Sequence, residues 1–459
     1  MTLAVNLLAE LAAALGPAGC LTGAAIGAGV TSDASGTGRT APLALLRPAS
    51  VAEVVAALEI CHRHGQTVVP QGGMTGLAGG ANPAPGDVAL SLARFAGVEE
   101  IDAASQTITL RAGTTLQTAQ EAAEAAGFLL PIDLGSRGSC QIGGIVATNA
   151  GGIRVIRHGM TRDNLAGVEA VLADGTLLPG LGKMVKNNTG YDLRHLICGS
   201  EGTLAVITRA VMRLRPLPAA RATALCALPD FAAVLALLGL VRRRLPGLSA
   251  FEAMWRSYFE TSSEGAGLRL WPEAPPFAVI LEAESLAPEG LAEAFEAVLA
   301  EAFEAGIIAD ALIAQSQAEA TRFWAVREGH AFDRMFPGLI NLDISLPVDL
   351  LDDYAVACGA AIRARFPGAH VSFFGHVGDM NLHVAVGLAE PSGEAAHEVD
   401  RIAYGLVRER GGSVSAEHGI GVLKRDWLGH TRSAAEIAQM RAVKAAFDPR
   451  GVLNPGKVV

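Results

Sequence analysis

The sequence predicts an α+β protein built in two parts, and three observations carry that prediction. A capped helix followed by a strand gives a β-α-β start before residue 70. Three glycine-rich loops then recur among strand-like runs as far as residue 216. From about Leu217 to Pro367 the texture changes to alanine and leucine at helical spacing, broken by strands such as Ala278–Leu281 and Leu342–Leu346.

Residues 2–15 alternate leucine and alanine at helical spacing and predict an amphipathic helix. Gly23 to Gly38 reads as a loop. Ser50 with Glu53 forms a capping box for a helix that runs to about His64 and stops at Gly65, and Thr67–Pro70 follows as a strand. PQGGMTGLAGGA, Pro70 to Ala81, comes next. Its glycines let the backbone turn sharply and aim several amides at an anion before the strand Val88–Leu92. The loop has neither the helix and downstream acid of a GxGxxG fingerprint nor the GK[ST] of a P-loop, so a phosphate-bearing ligand would be held by another fold.

Residues 106–112 alternate as a strand, and Thr114 with Gln117 is expected to cap a helix ending at Gly127. The second small-residue block, PIDLGSRGSCQIGGIVATNAGG, spans Pro131 to Gly152 and lets backbone approach a large flat ligand closely. Asp174-Gly175 closes a hairpin between Val168–Leu172 and Leu177–Leu178. A third block, KNNTGYDLRHLICGSEGTLAVIT, Lys186 to Thr208, leads into a strand reaching Arg215-Pro216. Three such loops in one half of the chain point to one extended cofactor threaded through it.

Composition narrows the function classes. At 459 residues the chain is long for one core, and length alone suggests about three domains. The formal net charge is −10 and no basic run interleaves with aromatics, which argues against a nucleic-acid partner. Cys20, Cys61, Cys140, Cys198, Cys226 and Cys358 show no CxxC spacing and read as reduced, buried cysteines of a cytoplasmic protein. No Lys or Arg precedes Arg39, so neither a secretory nor a mitochondrial leader is expected. Phe231 to Val241 is too short to span a bilayer and reads as a core helix.

The chemistry concentrates in FGHVGDMNLH, Phe374 to His383, and SAEHGIGVLK, Ser415 to Lys424. A four-residue hairpin loop over Gly378–Asn381 would set Val377 opposite Leu382 and His376 opposite His383, with both imidazoles on one face of the ribbon. That is a metal clip, with Glu417 the candidate third ligand. Zinc suits it best, and manganese, iron or cobalt would also fit. His418 diverges from its neighbour Glu417 and reads as a general base.

Together with those two motifs and the terminal FDPRGVLNPGK, Phe447 to Lys457, the three glycine-rich blocks resemble the FAD-linked D-2-hydroxy-acid dehydrogenases. That family holds the D-lactate, glycolate-oxidase-subunit and D-2-hydroxyglutarate enzymes of the vanillyl-alcohol oxidase and p-cresol methylhydroxylase (PCMH) superfamily. The resemblance implies a two-part PCMH-type FAD-binding domain with an α+β cap. The division would be an N-terminal helix and loop at 1–40, the FAD domain at 41–216, the cap at 217–415 and a segment at 416–459 that completes the active site. Pro70, Gly72, Gly73, Met74, Thr75, Gly76, Leu77, Gly79 and Gly80 would cradle the FAD pyrophosphate. Pro131, Gly135, Ser136, Cys140, Ile142, Gly143, Gly144, Asn149 and Gly152 would line the ribityl chain and ring. Glu201, Gly202 and Ile207 would finish the nucleotide end, with Asn454 returning from the C-terminus. No histidine lies between Pro70 and Gly80, so the FAD is expected to be non-covalent.

Within RFWAVREG, Arg322 to Gly329, Arg327 matches the arginine that clamps the substrate carboxylate, a contact its planar fork suits. The resemblance thus implies oxidation of a D-2-hydroxy acid to the 2-oxo acid. Metal on His376, His383 and Glu417 would chelate the substrate, Asn381 would assist, His418 would take the hydroxyl proton, and hydride would pass to flavin N5. Three positions depart from the hydroxyglutarate enzymes. Ala331 stands where a threonine is expected, Asn341 or Leu342 where a lysine is expected, and Met380 replaces the glycine of the metal turn. They favour a smaller or more apolar monocarboxylate; a D-2-hydroxyglutarate dehydrogenase or a glycolate oxidase subunit specifically is the alternative. The electron acceptor would be a quinone, a cytochrome or an electron-transfer flavoprotein, which allows peripheral attachment to the inner membrane, and a homodimer is allowed. A metal-dependent hydrolase could use the same ligands but would not need three flavin-type loops.

Overall fold

The computed structural model describes residues 2–329, 331–336 and 338–459, and these fall into two compact units. The first holds residues up to Gly152, then Gly159–Leu217 and Glu417–Val459; the second holds Ile153–His158 and Pro218–Ala416. Among the described residues no helix is long and apolar enough to cross a membrane.

The first unit opens on helix Thr2–Leu15, which places Leu7, Leu11 and Leu15 in the core. The expected β-α-β start follows as strand Ala44–Leu46, helix Val51–His64 and strand Val68–Gln71. Both strands pair in parallel with Val88–Ser91, which lies between them. Ser50 caps the helix by accepting the Glu53 amide at 3.2 Å, while the Glu53 carboxylate reaches the Ala49 amide at 2.8 Å rather than that of Ser50. Gly65 ends the helix at φ 66°, a conformation that glycine adopts without a Cβ penalty. Val54, Ala57, Leu58 and Cys61 are fully buried on its inner face, and a leucine so placed contributes about 1.5–3 kcal/mol.

A second, antiparallel sheet runs in the order Val98–Asp102, Thr107–Arg111, Val206–Arg213, Leu165–Val171 and Leu177–Gly180, with Gly175 at φ 90° in the expected hairpin. One cap differs from expectation. Helix Leu116–Ala125 is capped by Thr115, which accepts the Thr118 amide at 3.2 Å, because the Thr114 hydroxyl is engaged with the Arg111 and Gly97 carbonyls. The loop after Gly23 contains two short 3₁₀ turns, Gly23–Ala25 and Ala28–Val30. The C-terminal segment joins the first sheet at its edge: Val68 donates to the Val452 carbonyl and Asn454 donates back to Val68, at 2.9 and 2.8 Å. All six cysteines are free. Five are buried and Cys20 is half-buried, a departure from the expectation for that one residue, while burial pushes the Cys61 thiol up to about 12.

The second unit is one seven-stranded antiparallel sheet with helices packed on it. Its order is Asp310–Ile313, Ala220–Leu228, Phe277–Ser285, Leu248–Trp255, His370–Gly375, Asn381–Gly387 and Ile340–Ser345. Helix Phe231–Arg244, capped by Asp230, is the expected core helix. Register places Glu252 beside Ile280 and Ala250 beside Glu282, so Glu252, Glu282 and Glu284 share one face of the sheet, all buried. Arg154 counters both Glu282, at 2.6 Å, and Glu284, at 3.5 Å, and Arg221 meets Glu284 at 3.0 Å. Burial alone would raise the Glu284 carboxyl, but His158, Arg154 and Arg221 hold it at about 2. An unfolded glutamate titrates near 4.3, so this carboxylate adds stability above that pH that is lost as pH falls towards 2, up to about 3 kcal/mol. Chemical denaturation between pH 5 and 2.5 should therefore fall less steeply for Glu284→Gln than for the parent.

Candidate functional site

In the second unit, strand His370–Gly375 leads into the histidine turn and strand Asn381–Gly387 leaves it. The register differs from expectation by two residues: Phe374, not His376, stands opposite His383. A 3₁₀ turn, Val377–Asp379, and Met380 in the left-handed region at φ 72° lengthen the connection and carry His376 beyond the paired strands. Gly375 permits the crossing, since a Cβ there would lie 2.3 Å from the Asn381 carbonyl oxygen. The two imidazoles nonetheless come together, with centroids 5.2 Å apart and planes nearly perpendicular. Met380 is 43% exposed and occupies a conformation that costs a non-glycine residue roughly 1–2 kcal/mol. After the added entropy of an unfolded glycine, Met380→Gly is expected to gain up to about 1 kcal/mol, read as a higher urea midpoint.

Behind the turn lies a residue that the sequence did not single out. Glu252, 1% exposed on strand Leu248–Trp255, accepts from His376 Nδ1 at 2.6 Å through one oxygen and from Arg327 Nε at 2.7 Å through the other. Burial works to raise this carboxyl, but the His376 and Arg327 charges and hydrogen bonds outweigh it and hold it below the usual carboxylate range. With Nδ1 hydrogen-bonded to a carboxylate, the orientation of the His376 ring is fixed. The signal was available: a lone carboxylate in a strand that is apolar apart from Ser249 must find a partner.

Arg327 ends helix Gln317–Arg327, whose Ser316 cap accepts the Glu319 amide. Its guanidinium lies 4.5 Å from the centroid of Phe374, and the Tyr258 hydroxyl donates to its carbonyl at 2.8 Å. One turn earlier Trp324 donates to Glu282 at 3.2 Å, so two buried carboxylates of one sheet face fix the roll of this helix. Asn381 is 3% exposed, and neither polar atom of its side chain has a hydrogen-bond partner among the described residues. Asp343 pairs across from His383, 3.9 Å from its Nδ1, and accepts the Ala416 amide at 3.0 Å. Ala416 is the last residue of this unit, and Glu417 and His418 follow it directly in the chain.

In the first unit Glu417 accepts the Gly152 amide at 2.7 Å, and His418 is half-buried beside Gly419. Glu201, left-handed at φ 52°, accepts the Ile420 and Gly421 amides at 2.7 and 2.8 Å, and burial raises its carboxyl against their pull. Asn454 donates to the Gly80 and Glu201 carbonyls at 2.9 and 2.8 Å. These contacts bring the first loop, the third block and the C-terminal segment together. The second block joins them through close backbone approach: a Cβ on Gly73 would lie 1.9 Å from the Ser139 oxygen, and one on Gly72 would lie 3.5 Å from the Gly144 Cα. Gly143, Gly152 and Gly202 likewise face Ala112, the Asp133 carbonyl and the Pro70 ring, so protein packing already requires them. Ile142, Cys140 and Ile207 are buried in the same core, and Asn149 turns the end of helix Ile142–Thr148 at φ 50°. Met74 is left-handed at φ 56°, Leu77 is 39% exposed and Gly135 and Ser136 are exposed. Pro131 is buried, and Thr75, Gly76 and Gly79 lie along the half-buried to buried course of the loop.

Residues 42–179 match a family described as an FAD binding domain, and residues 217–458 match the C-terminal domain of FAD linked oxidases. The chain is 39% identical to the D-2-hydroxyglutarate dehydrogenase of Xanthomonas citri pv. viticola over 91% of this chain and 89% of that one. It is 38% identical to the mitochondrial D-2-hydroxyglutarate dehydrogenase of Bos taurus, over 90% and 76% respectively. Among solved structures, p-cresol methylhydroxylase with substrate bound superimposes with a TM-score of 0.78 at 16% identity, covering 100% of this chain and 97% of that one, which is a likeness of fold.

Proposed function

This chain belongs to the FAD-linked 2-hydroxy-acid dehydrogenases, and from that premise we propose that it oxidises a D-2-hydroxy acid to the 2-oxo acid with the help of a bound divalent metal ion. FAD, held non-covalently, supplies the acceptor for hydride from C2. Buried acceptors in the first unit that lack a partner among the described residues, Gln141 Oε1 and Asn454 Oδ1, suit a flavin nucleotide rich in donors.

The hydrogen bond between Glu252 and His376 carries the metal reading, because a carboxylate behind an imidazole is how metal-ligating histidines are oriented. His376 and His383 are two ligands. Glu417 is proposed as the third, since the Ala416 amide is tied to Asp343, the residue opposite His383. Zinc suits this nitrogen and carboxylate set, and a divalent ion would supply Lewis acidity to the substrate hydroxyl. Arg327 receives the substrate carboxylate on its planar fork, held in place by Glu252. Asn381 completes the polar wall, and His418 takes the hydroxyl proton. Reoxidation falls to a quinone, a cytochrome or an electron-transfer flavoprotein.

A compact substrate with one carboxylate is favoured, given Ala331 and Asn341 or Leu342 at the positions that would anchor a second. D-2-hydroxyglutarate is the second reading, favoured by the names of the relatives. Anaerobic visible spectra against D- and L-2-hydroxy acids decide between them. Bleaching by D-lactate but not D-2-hydroxyglutarate, abolished by a chelator and restored by zinc, is the expected result. Bleaching that survives complete chelation would end the metal reading. Acid precipitation should leave the yellow colour in the supernatant, and colour in the pellet would mean a covalent flavin.

A further inference from the structure

The loop that follows Gly23 holds a carboxylate that neither the core nor the proposed chemistry uses. Asp33 is 5% exposed. Its amide donates to Asn82 Oδ1 at 2.6 Å, and its Oδ1 accepts from the Ser35 amide and hydroxyl at 3.1 and 2.5 Å. Asn82 closes the turn by donating to the Thr37 carbonyl at 2.9 Å, and its own carbonyl accepts from the buried Lys457 ammonium at 3.0 Å. The side chain is thus fixed through one oxygen. The other, Oδ2, is buried and has no hydrogen-bond partner among the described residues. It looks onto the first glycine loop: a Cβ built on Gly76 would lie 3.3 Å from it.

A buried carboxylate oxygen without a donor is costly, and such an atom in a native fold calls for a ligand or water that completes it. A carboxylate only accepts, and it would repel a phosphate, so the group it receives is a neutral or positive donor. On a flavin dinucleotide threaded along the glycine loop, the donors nearest the pyrophosphate are sugar hydroxyls, on the ribose at one side and the ribityl chain at the other. We propose that Asp33 is a cofactor-binding residue whose Oδ2 accepts a hydrogen bond from a sugar hydroxyl of FAD. The proposal rests on the FAD reading of this chain. It also supplies, upstream of the loop, the acid that the sequence lacks downstream of it.

Asp33→Asn keeps the Oδ1 acceptor of the turn and converts the other atom into a donor. FAD binding to apoprotein, followed by quenching of flavin fluorescence, should weaken roughly ten-fold or more, while the thermal midpoint of the apoprotein stays that of the parent. Ser35→Ala serves as the control for the turn and should bind FAD like the parent. Competition with ADP and with FMN separates the two sugars, because weakening confined to ADP assigns the ribose and weakening confined to FMN assigns the ribityl chain. Should Asp33→Asn misfold, Asp33→Ser is measured in the same way. Unchanged FAD affinity, or equal loss in Ser35→Ala, would overturn the assignment. A parent apoprotein that takes up no FAD would overturn the assignment and the flavin reading together.

Discussion

Glutamine in place of Glu252 is expected to leave a folded protein that binds added zinc about ten- to a hundred-fold more weakly than the parent. The substitution preserves shape and keeps one acceptor, but it removes the charge that orients His376 Nδ1 at 2.6 Å and neutralises Arg327 at 2.7 Å. Alanine at the same position should be far worse. It leaves a guanidinium that is 7% exposed without its counter-charge, which in buried pairs costs about 3–5 kcal/mol. Zinc titration against a chromogenic chelator reads the first effect, and urea unfolding reads the second. Glu252→Gln with parental zinc affinity would mean that His376 is not a ligand.

His418→Ala should slow anaerobic flavin reduction by about 10²- to 10⁴-fold, the range associated with a positioned general base. FAD content and zinc affinity should stay close to those of the parent under the proposed assignment, in which His418 is the base and His376, His383 and Glu417 hold the ion; a large loss of zinc affinity would instead put His418 among the ligands, with Asp343 and His383. Stopped-flow reduction with saturating substrate separates this loss from weaker binding. A variant reduced as fast as the parent would return the base role to another group, and Asp343, buried opposite His383, would be the next to test.

What the sequence disclosed and what it withheld follow from the range of the forces involved. The Ser50 cap, the Gly65 stop and the Asp174-Gly175 hairpin were legible because each is decided within four residues by backbone geometry. The pairing of His376 and His383 was legible as a neighbourhood but not as a register. A 3₁₀ turn and a left-handed Met380 have no strong local signature, and methionine argues against the conformation it adopts. Glu252 was missed because its partners are 75 and 124 residues away in the chain. The one-residue error at Thr114 arose from two adjacent threonines, and a carbonyl of a distant loop chose between them. Asp33 read as an ordinary loop residue because its burial depends on Asn82, 49 residues later.

The bond from Asn454 to the Gly80 carbonyl joins residues 374 apart, and that span has a consequence for how the chain is made. At about 5–20 residues per second, the ribosome delivers the edge partner of strand Val68–Gln71 about 20–75 s after the strand itself. All strands of the seven-stranded sheet have emerged by then. The first glycine-rich loop of the first unit is therefore completed last, and nascent chains stalled once Ala416 has left the ribosome but before Val452 has should hold a protease-resistant second unit while retaining no flavin.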